Sequence, residues 1–212
     1  MKTLIDSIKN KPLTIGIYAR PGLGKTSLLL QMADMLTSES EKAFIISFEM
    51  LADHIKQRAE RIGIYTRKFI VNDEYSSIVD AIKLPYLKDF ILKQKNISMV
   101  GIDYVWGWPE DNLKVCFDKF SAQIDVPVIF TQQLSRAVEY NPCGRPVIGD
   151  IDKLCTPNAD IALSIWRPAK CYHKIDTAGM PETEISILKS SVSKKQVIEA
   201  EFNEKTLSFN FI

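Results

Sequence analysis

The residues Ala19-Arg20-Pro21-Gly22-Leu23-Gly24-Lys25-Thr26-Ser27 follow a short apolar run and precede a segment of helical periodicity. Two glycines that free the backbone, then a lysine and a hydroxyl side by side, have the spacing of a phosphate-wrapping loop. Only the alanine at the first glycine position departs from it. Backbone N–H groups of such a loop converge on phosphate oxygens, and the N-terminus of the following helix favours negative charge. Lys25 is then expected to pair with the β- and γ-phosphates of a nucleoside triphosphate, and the Thr26 hydroxyl to ligate Mg²⁺. Arg20, Pro21, Gly22, Leu23, Gly24 and Ser27 complete the candidate cradle. The other reading of these residues is a glycine turn beside a solvated lysine, but that turn has no need of a strand before it and a helix after.

A triphosphate site also needs acids. Asp103 ends the apolar run Val100-Gly101-Ile102, where a carboxylate can hold the metal through its water shell. An aspartate there can instead cap the next helix. Glu49 directly follows Phe44-Ile45-Ile46-Ser47-Phe48, which places it at the C-terminal edge of a strand, the edge where α/β sheets take ligands. It can orient and deprotonate water, or it can be a surface carboxylate in a helix's first turn. Gln132 and Gln133 follow Val128-Ile129-Phe130 in the same way, so an amide there can sense the γ-phosphate or simply face solvent.

The elements that must position these groups can be read from periodicity. Leu13 to Tyr18, Ala43 to Phe48, Phe69 to Val71, Met99 to Asp103 and Val126 to Phe130 are short buried-strand runs. Between them lie helical stretches near Lys25 to Leu36, Ala52 to Arg61, Ser76 to Lys93 and Asn112 to Ala122. Such alternation means βαβ units, hence an α/β fold with a mostly parallel sheet covered by helices on both faces. Ile161 to Trp166, Glu184 to Leu188, Gln196 to Phe202 and Thr206 to Phe211 are strands without helices between them. The expectation is an antiparallel C-terminal extension over 161–212. With no repeat and no Gly/Ser linker, residues 1–212 are read as one domain, of which 1–12 form a short N-terminal segment.

Composition narrows the partners. The 212 residues are 46% apolar and 25% charged, as ordinary globular chains are. Lys plus Arg number 27 and Asp plus Glu 26, a net charge of +1, so no overall field draws the chain to nucleic acid or an anionic membrane. No apolar run approaches the roughly 20 residues of a membrane helix, and charge interrupts the N-terminus too early for a signal peptide. A cytoplasmic protein without membrane contact is expected. The four cysteines, Cys116, Cys143, Cys155 and Cys171, are widely spaced with no C-x-x-C pair, which favours small apolar packing roles over zinc or disulfides.

The ordered set Ala19 to Thr26, Ser47-Phe48-Glu49-Met50, Ile102-Asp103-Tyr104, Val126-Pro127-Val128 leading to Gln133-Leu134-Ser135-Arg136, and Arg145-Pro146-Val147 with Asp150-Ile151 resembles the motifs of the C-terminal ATPase domain of DnaB-type replicative helicases. The agreement runs from about Leu13 to Phe211. The resemblance implies a RecA-like P-loop fold, with ATP and Mg²⁺ as cofactors and Lys25 and Thr26 on phosphate and metal. It implies Glu49 as catalytic carboxylate, Asp103 as metal-site acid and Gln133 as γ-phosphate sensor. It further implies a hexamer with ATP between subunits, single-stranded DNA held by loops at the centre, and association with replication or mobile-element proteins.

The chain departs from that pattern in places. The family's Lys-x-Arg element, which enters the neighbour's ATP site, here reads Lys189-Ser190-Ser191. Lys189 is kept and the arginine finger is not, which removes a group worth about 10³ to 10⁵ in rate unless Lys194, Lys195 or Arg167 replaces it. The first DNA-facing loop is shortened to Val105-Trp106-Gly107-Trp108-Pro109-Glu110-Asp111, whose tryptophans can stack on bases or pack on protein, beside acids that repel phosphate. In the second, Arg136, Arg145 and Lys153 are balanced by Glu139, Asp150 and Asp152. Only Met1 to Pro12 precede the first strand, so the family's helical collar and linker are not in this sequence. Two functions follow: a DnaB-like ATPase linked to single-stranded DNA, or an ATP-binding interaction module that switches with nucleotide and has lost motor activity.

Overall fold

A computed structural model describes residues 1–73, 85–94, 96–105, 111–152, 154, 157–170 and 177–212. Among them, the N-terminal segment is a helix, α1 (Lys2–Ile8), followed by β1 (Thr14–Ala19), α2 (Lys25–Leu36), β2 (Lys42–Ser47), α3 (Ala52–Ile62) and β3 (Phe69–Asn72). Then come α4 (Pro85–Lys93), β4 (Ile97–Val105), α5 (Asp111–Ser121), β5 (Val128–Gln133), α6 (Ile148–Asp152) and β6 (Ile161–Trp166). β7 (Thr183–Ser190), β8 (Val197–Asn203) and β9 (Ser208–Phe211) close the chain. The strands form one sheet in the order β3-β2-β4-β5-β1-β6-β7-β8-β9. This is the expected α/β, RecA-like architecture.

Strand character follows burial. All six residues of β1 are buried, because it lies at the centre of the sheet between β5 and β6 with a layer on each face. β8 alternates exposed and buried residues along its length, since only one of its faces meets the core. Pairing is parallel from β3 to β6 and antiparallel from β6 to β9. β6 is therefore the strand where the sheet changes sense, parallel to β1 on one side and antiparallel to β7 on the other.

Two apolar clusters cover the two faces. Ile15, Ile17 and Ala19 of β1 pack with α1, α2, α3 and the β8–β9 hairpin, through Leu4, Leu28, Ile55, Phe202 and Phe209. Tyr18 points the other way, toward Phe117 of α5 and Phe130 of β5. Helix α1 was not expected. Its Leu4, Ile5 and Ile8 are buried on the first cluster, a spacing too short to stand out as periodic in sequence.

Sequence boundaries otherwise fall within a few residues of the observed ones. Of the stretch read as helical from Ser76, α4 accounts for the end and 74–84 lie outside the described residues. Trp106, Trp108 and Glu110 lie outside them as well, as do Lys153, Cys155 and Cys171. The second expected DNA-facing loop contains short helical turns pinned by Asp150, whose Oδ2 accepts from Asn141 Nδ2 at 2.7 Å and from the Val147 amide at 2.9 Å. Cys116 is half-buried, whereas Cys143 is exposed in a tight turn at φ 57°. Among the described residues no helix is long and apolar enough to cross a membrane.

Candidate nucleotide site

The loop between β1 and α2 turns on Gly22 and Gly24, with φ of 73° and 101°, values that favour glycine. Gly24 is the N-cap of α2 and is fixed on a second count. A Cβ there would lie 2.7 Å from Phe209 Cζ and 3.0 Å from Phe202 Cε2, so the β8–β9 hairpin packs directly on the loop. Pro21, Gly22, Gly24, Lys25 and Thr26 line a cleft of about 280 Å³. Glu49, Met50 and Arg58 approach it from the segment after β2, Tyr104 from β4, and Gln133 from β5.

Asp103 lies behind Thr26, beneath the lining of the cleft. It is wholly buried, and both carboxylate oxygens accept hydroxyl hydrogen bonds, Oδ2 from Thr26 Oγ1 at 2.9 Å and Oδ1 from Thr131 Oγ1 at 2.7 Å. The topology makes this possible, because β5 lies between β4 and β1 and carries Thr131 beside Ile17. Burial raises the Asp103 carboxyl above its ordinary value, while Thr131, Thr26, Lys25 and Arg58 pull against that rise. Burial likewise lowers the Lys25 ammonium, opposed by the charges of Asp103 and Glu49. The Lys25 side chain makes one hydrogen bond among the described residues, to Arg20 O at 3.4 Å. Such a long single contact leaves donors for an anion.

The turn bearing Glu49 is cinched locally. Ser47 Oγ donates to Met50 O at 2.6 Å and accepts from Met50 N at 3.0 Å. The Phe48 amide donates to Asp103 O at 2.6 Å, tying the ends of β2 and β4. Asp73 caps α3 by accepting from the Ala52 amide at 2.7 Å. Burial, together with the charges of Glu49 and Asp103, raises the Tyr104 phenol, so it stays a neutral donor beside two acids.

Seven residues singled out from sequence, Pro21, Gly22, Gly24, Lys25, Thr26, Glu49 and Gln133, thus share one cleft, with Asp103 reached through Thr26. Others are placed elsewhere. Leu23 is buried in the core. Arg20 turns away, donating from Nε to Glu139 at 2.8 Å and from Nη1 to Leu134 O at 2.9 Å. Ser27 is buried and its hydroxyl has no partner among the described residues. Strand alternation separates the two glutamines, burying Gln132 and leaving Gln133 in the cleft. Lys189 is exposed on β7, Ser191 is exposed just beyond it, and neither lines the cleft of its own chain. Lys194 and Lys195 are exposed as well. Arg167 is 4% exposed and bound within the chain to Glu204 at 2.7 Å, so it is not presented to a neighbour.

Sequence reasoning missed Arg58, Tyr104, Thr131, Phe202, Glu204 and Leu207. Tyr104 was adjacent to a motif acid, and Arg58 lies on the helix that follows Glu49. For Thr131 and the hairpin residues only the three-dimensional pairing carries the signal. Among the described residues no group of three or more His, Cys, Asp or Glu could hold a metal. A cation here must draw most ligands from phosphate and water, which is the habit of Mg²⁺. The hydroxyl of Thr26 in contact with a buried carboxylate is a suitable all-oxygen anchor for it.

The chain can now be set beside known proteins. A sequence profile for the KAP family P-loop domain matches residues 1–62. The replicative DNA helicase DnaB of Mycoplasma genitalium is 23% identical over 240 residues, covering 92% of this chain and 51% of that protein. The chain thus spans about half the length of this curated relative. A DnaB-like replicative helicase, solved for its interactions with primase, superposes with a TM-score of 0.74 at 20% identity over 95% of this chain and 57% of its own. An isolated ATPase domain of known structure superposes at 0.73, with 21% identity, over 95% of this chain and 84% of its own. At these identities the superpositions establish the fold, that of DnaB-like ATPase domains.

Proposed function

We propose, from the premise of a DnaB-like ATPase fold, that the chain binds ATP with Mg²⁺ and hydrolyses it, in work linked to single-stranded DNA and replication. The observation that carries this is the convergence of Lys25, Thr26, Glu49 and Gln133 on one cleft, with Asp103 beneath. The loop amides and the N-terminus of α2 hold the phosphates, and Lys25 reaches the β- and γ-phosphate oxygens. Thr26 and Asp103 are the residues that would hold Mg²⁺, which would supply charge neutralisation at the phosphates. Glu49 takes a proton from the water that attacks the γ-phosphorus, and Gln133 contacts the γ-phosphate. The bond to the leaving β-phosphate oxygen breaks, giving ADP and inorganic phosphate.

One observation favours a second reading. Ser191, where an arginine finger would stand, is exposed and offers no cation, and Arg167 is committed inside the chain. Both fit an ATP-binding switch with slow turnover. In either reading, Lys189 on the exposed face of β7 is the group that a neighbouring subunit's ATP would meet in a ring.

The test is ATP binding and turnover of the wild type and of Lys25→Ala, with and without single-stranded DNA, alongside the mass of the assembly. Loss of binding in the variant supports the site, and unchanged affinity refutes it. DNA-stimulated turnover of an oligomer supports the motor, whereas tight binding with negligible turnover supports the switch.

A further inference from the structure

The cleft has two ends, and only one is suited to phosphate. Glu49, Asp103 and Gln133 follow or end β2, β4 and β5, all on one side of β1 in the sheet. Phe202, Glu204 and Leu207 stand at the opposite end, brought by the β8–β9 hairpin from the other side of β1. A triphosphate whose γ-phosphate lies by Glu49 and Gln133 therefore directs its nucleoside toward the hairpin.

We propose that Glu204 reads the nucleoside, its carboxylate accepting a hydrogen bond from a ribose O–H or a base N–H and so selecting among triphosphates. This rests on the reading that the cleft binds a nucleoside triphosphate. Three features support it. First, an ionised carboxylate is acceptor-only and repels phosphate, so its place in this cleft, across β1 from Glu49, Gln133 and the buried Asp103, suits the O–H and N–H donors of a nucleoside. Second, Glu204 is held in position: Oε1 accepts from Arg167 Nη2 at 2.7 Å and from Lys170 Nζ at 3.1 Å. Arg167 is itself fixed, buried with its guanidinium 4.3 Å from the Phe202 ring centroid. Third, both ion pairs fall on Oε1 and the side chain is 56% exposed, so one carboxylate oxygen is anchored and the other is accessible. The hydrogen bonds from Arg167 and Lys170 also hold the carboxyl below its ordinary range, keeping it an acceptor at neutral pH.

The alternative is that the ion pairs only staple the hairpin down. A staple changes stability and weakens all ligands alike, whereas a reader changes their ranking. The experiment is to measure the affinities of ATP, 2′-deoxy-ATP, 3′-deoxy-ATP, purine riboside triphosphate and inorganic tripolyphosphate. Wild type, Glu204→Gln and Glu204→Ala are compared, with thermal unfolding of each. The wild type is expected to bind ATP about ten- to a hundredfold more tightly than the analogue missing the donor that Glu204 accepts, the effect of one charge-assisted hydrogen bond.

That gap should narrow in Glu204→Gln and close in Glu204→Ala, while tripolyphosphate affinity stays constant. The two deoxy analogues identify a ribose hydroxyl as the source, and the purine riboside analogue identifies the base amino group. Equal wild-type affinity for all four nucleotides overturns the proposal, as does a gap that survives in Glu204→Ala. Should Glu204→Ala fail to fold, an undiminished gap in Glu204→Gln overturns it. Failure of the wild type to bind either ATP or tripolyphosphate is a different result, and overturns the nucleotide site itself.

Discussion

Toward β5, β4 and β2, the side chains that face the cleft come from strand ends or from the helices that follow them, each within a few residues of a recognisable motif. Across β1, the hairpin reaches the same cleft from the far end of the chain, and its bond to α2 joins residues 178 positions apart, Gln31 Nε2 donating to Phe209 O. The first region obtains its geometry from βαβ connections, which deliver strand C-termini to one edge in any sheet of this kind. The second obtains it from packing: two phenylalanines against Gly24, and a buried arginine between Glu204 and Phe202. Chemistry at the first end should therefore be lost with little change in fold. Damage at the second end should appear first in stability.

The sharpest way to break that contrast is Glu49→Gln. General-base assistance is worth about 10²- to 10⁴-fold, so ATP turnover should fall by that much while ATP affinity and melting temperature hold. Preserved turnover would place the water-activating group elsewhere. The hairpin counterpart is Phe209→Ala. The ring is 2% exposed and packs on Phe202 with centroids 4.8 Å apart. Its removal should cost about 3–5 kcal/mol in denaturant unfolding, with the residual ATPase of folded protein less affected than in Glu49→Gln. A loss below about 1 kcal/mol would mean that the hairpin is not what holds the loop.

This division also accounts for what could be read from the sequence. Lys25, Thr26, Glu49 and Asp103 were legible because their roles depend on position relative to a strand end, and strand ends are visible in local hydrophobicity. Thr131 was not, since nothing in Ile129-Phe130-Thr131 says that β5 inserts between β4 and β1. Glu204 reads locally as a turn residue beside Asn203. Its meaning comes from Arg167 and Lys170, which sit beyond β6, two strands away in the sheet. Arg20 misled for the complementary reason: it belongs to the motif by position, yet Glu139 and Leu134 draw its side chain to the other side of the loop. The helix α1 escaped because three apolar residues over two turns form no pattern until the core they cover is known.

The smallest expected effect on stability runs against intuition and concerns Asp103→Asn. The folded protein raises the pKa of this carboxyl above its ordinary 3.8, burial being the largest cause, so the folded state holds the proton more tightly than the unfolded one. By linkage, the stability from this group is complete below about pH 3.8 and is lost as pH rises through the folded value. At neutral pH the buried carboxylate is therefore a net cost, offset in part by Thr26, Thr131, Lys25 and Arg58. An asparagine keeps the shape and can exchange hydrogen bonds with both hydroxyls, which rotate to suit, without the charge. Asp103→Asn should melt a few degrees higher at pH 7, where about 1 kcal/mol corresponds to roughly 2–4 °C in a domain of this size. The gain should vanish near pH 3.8, and Mg²⁺-dependent ATP turnover should be lost, the exchange of stability for function seen at active sites. A lower melting temperature at pH 7 would show that the carboxylate's hydrogen bonds and its attraction to the charge of Lys25 outweigh its desolvation, making this acid a structural support and drawing the phosphate end of the cleft closer in kind to the hairpin end.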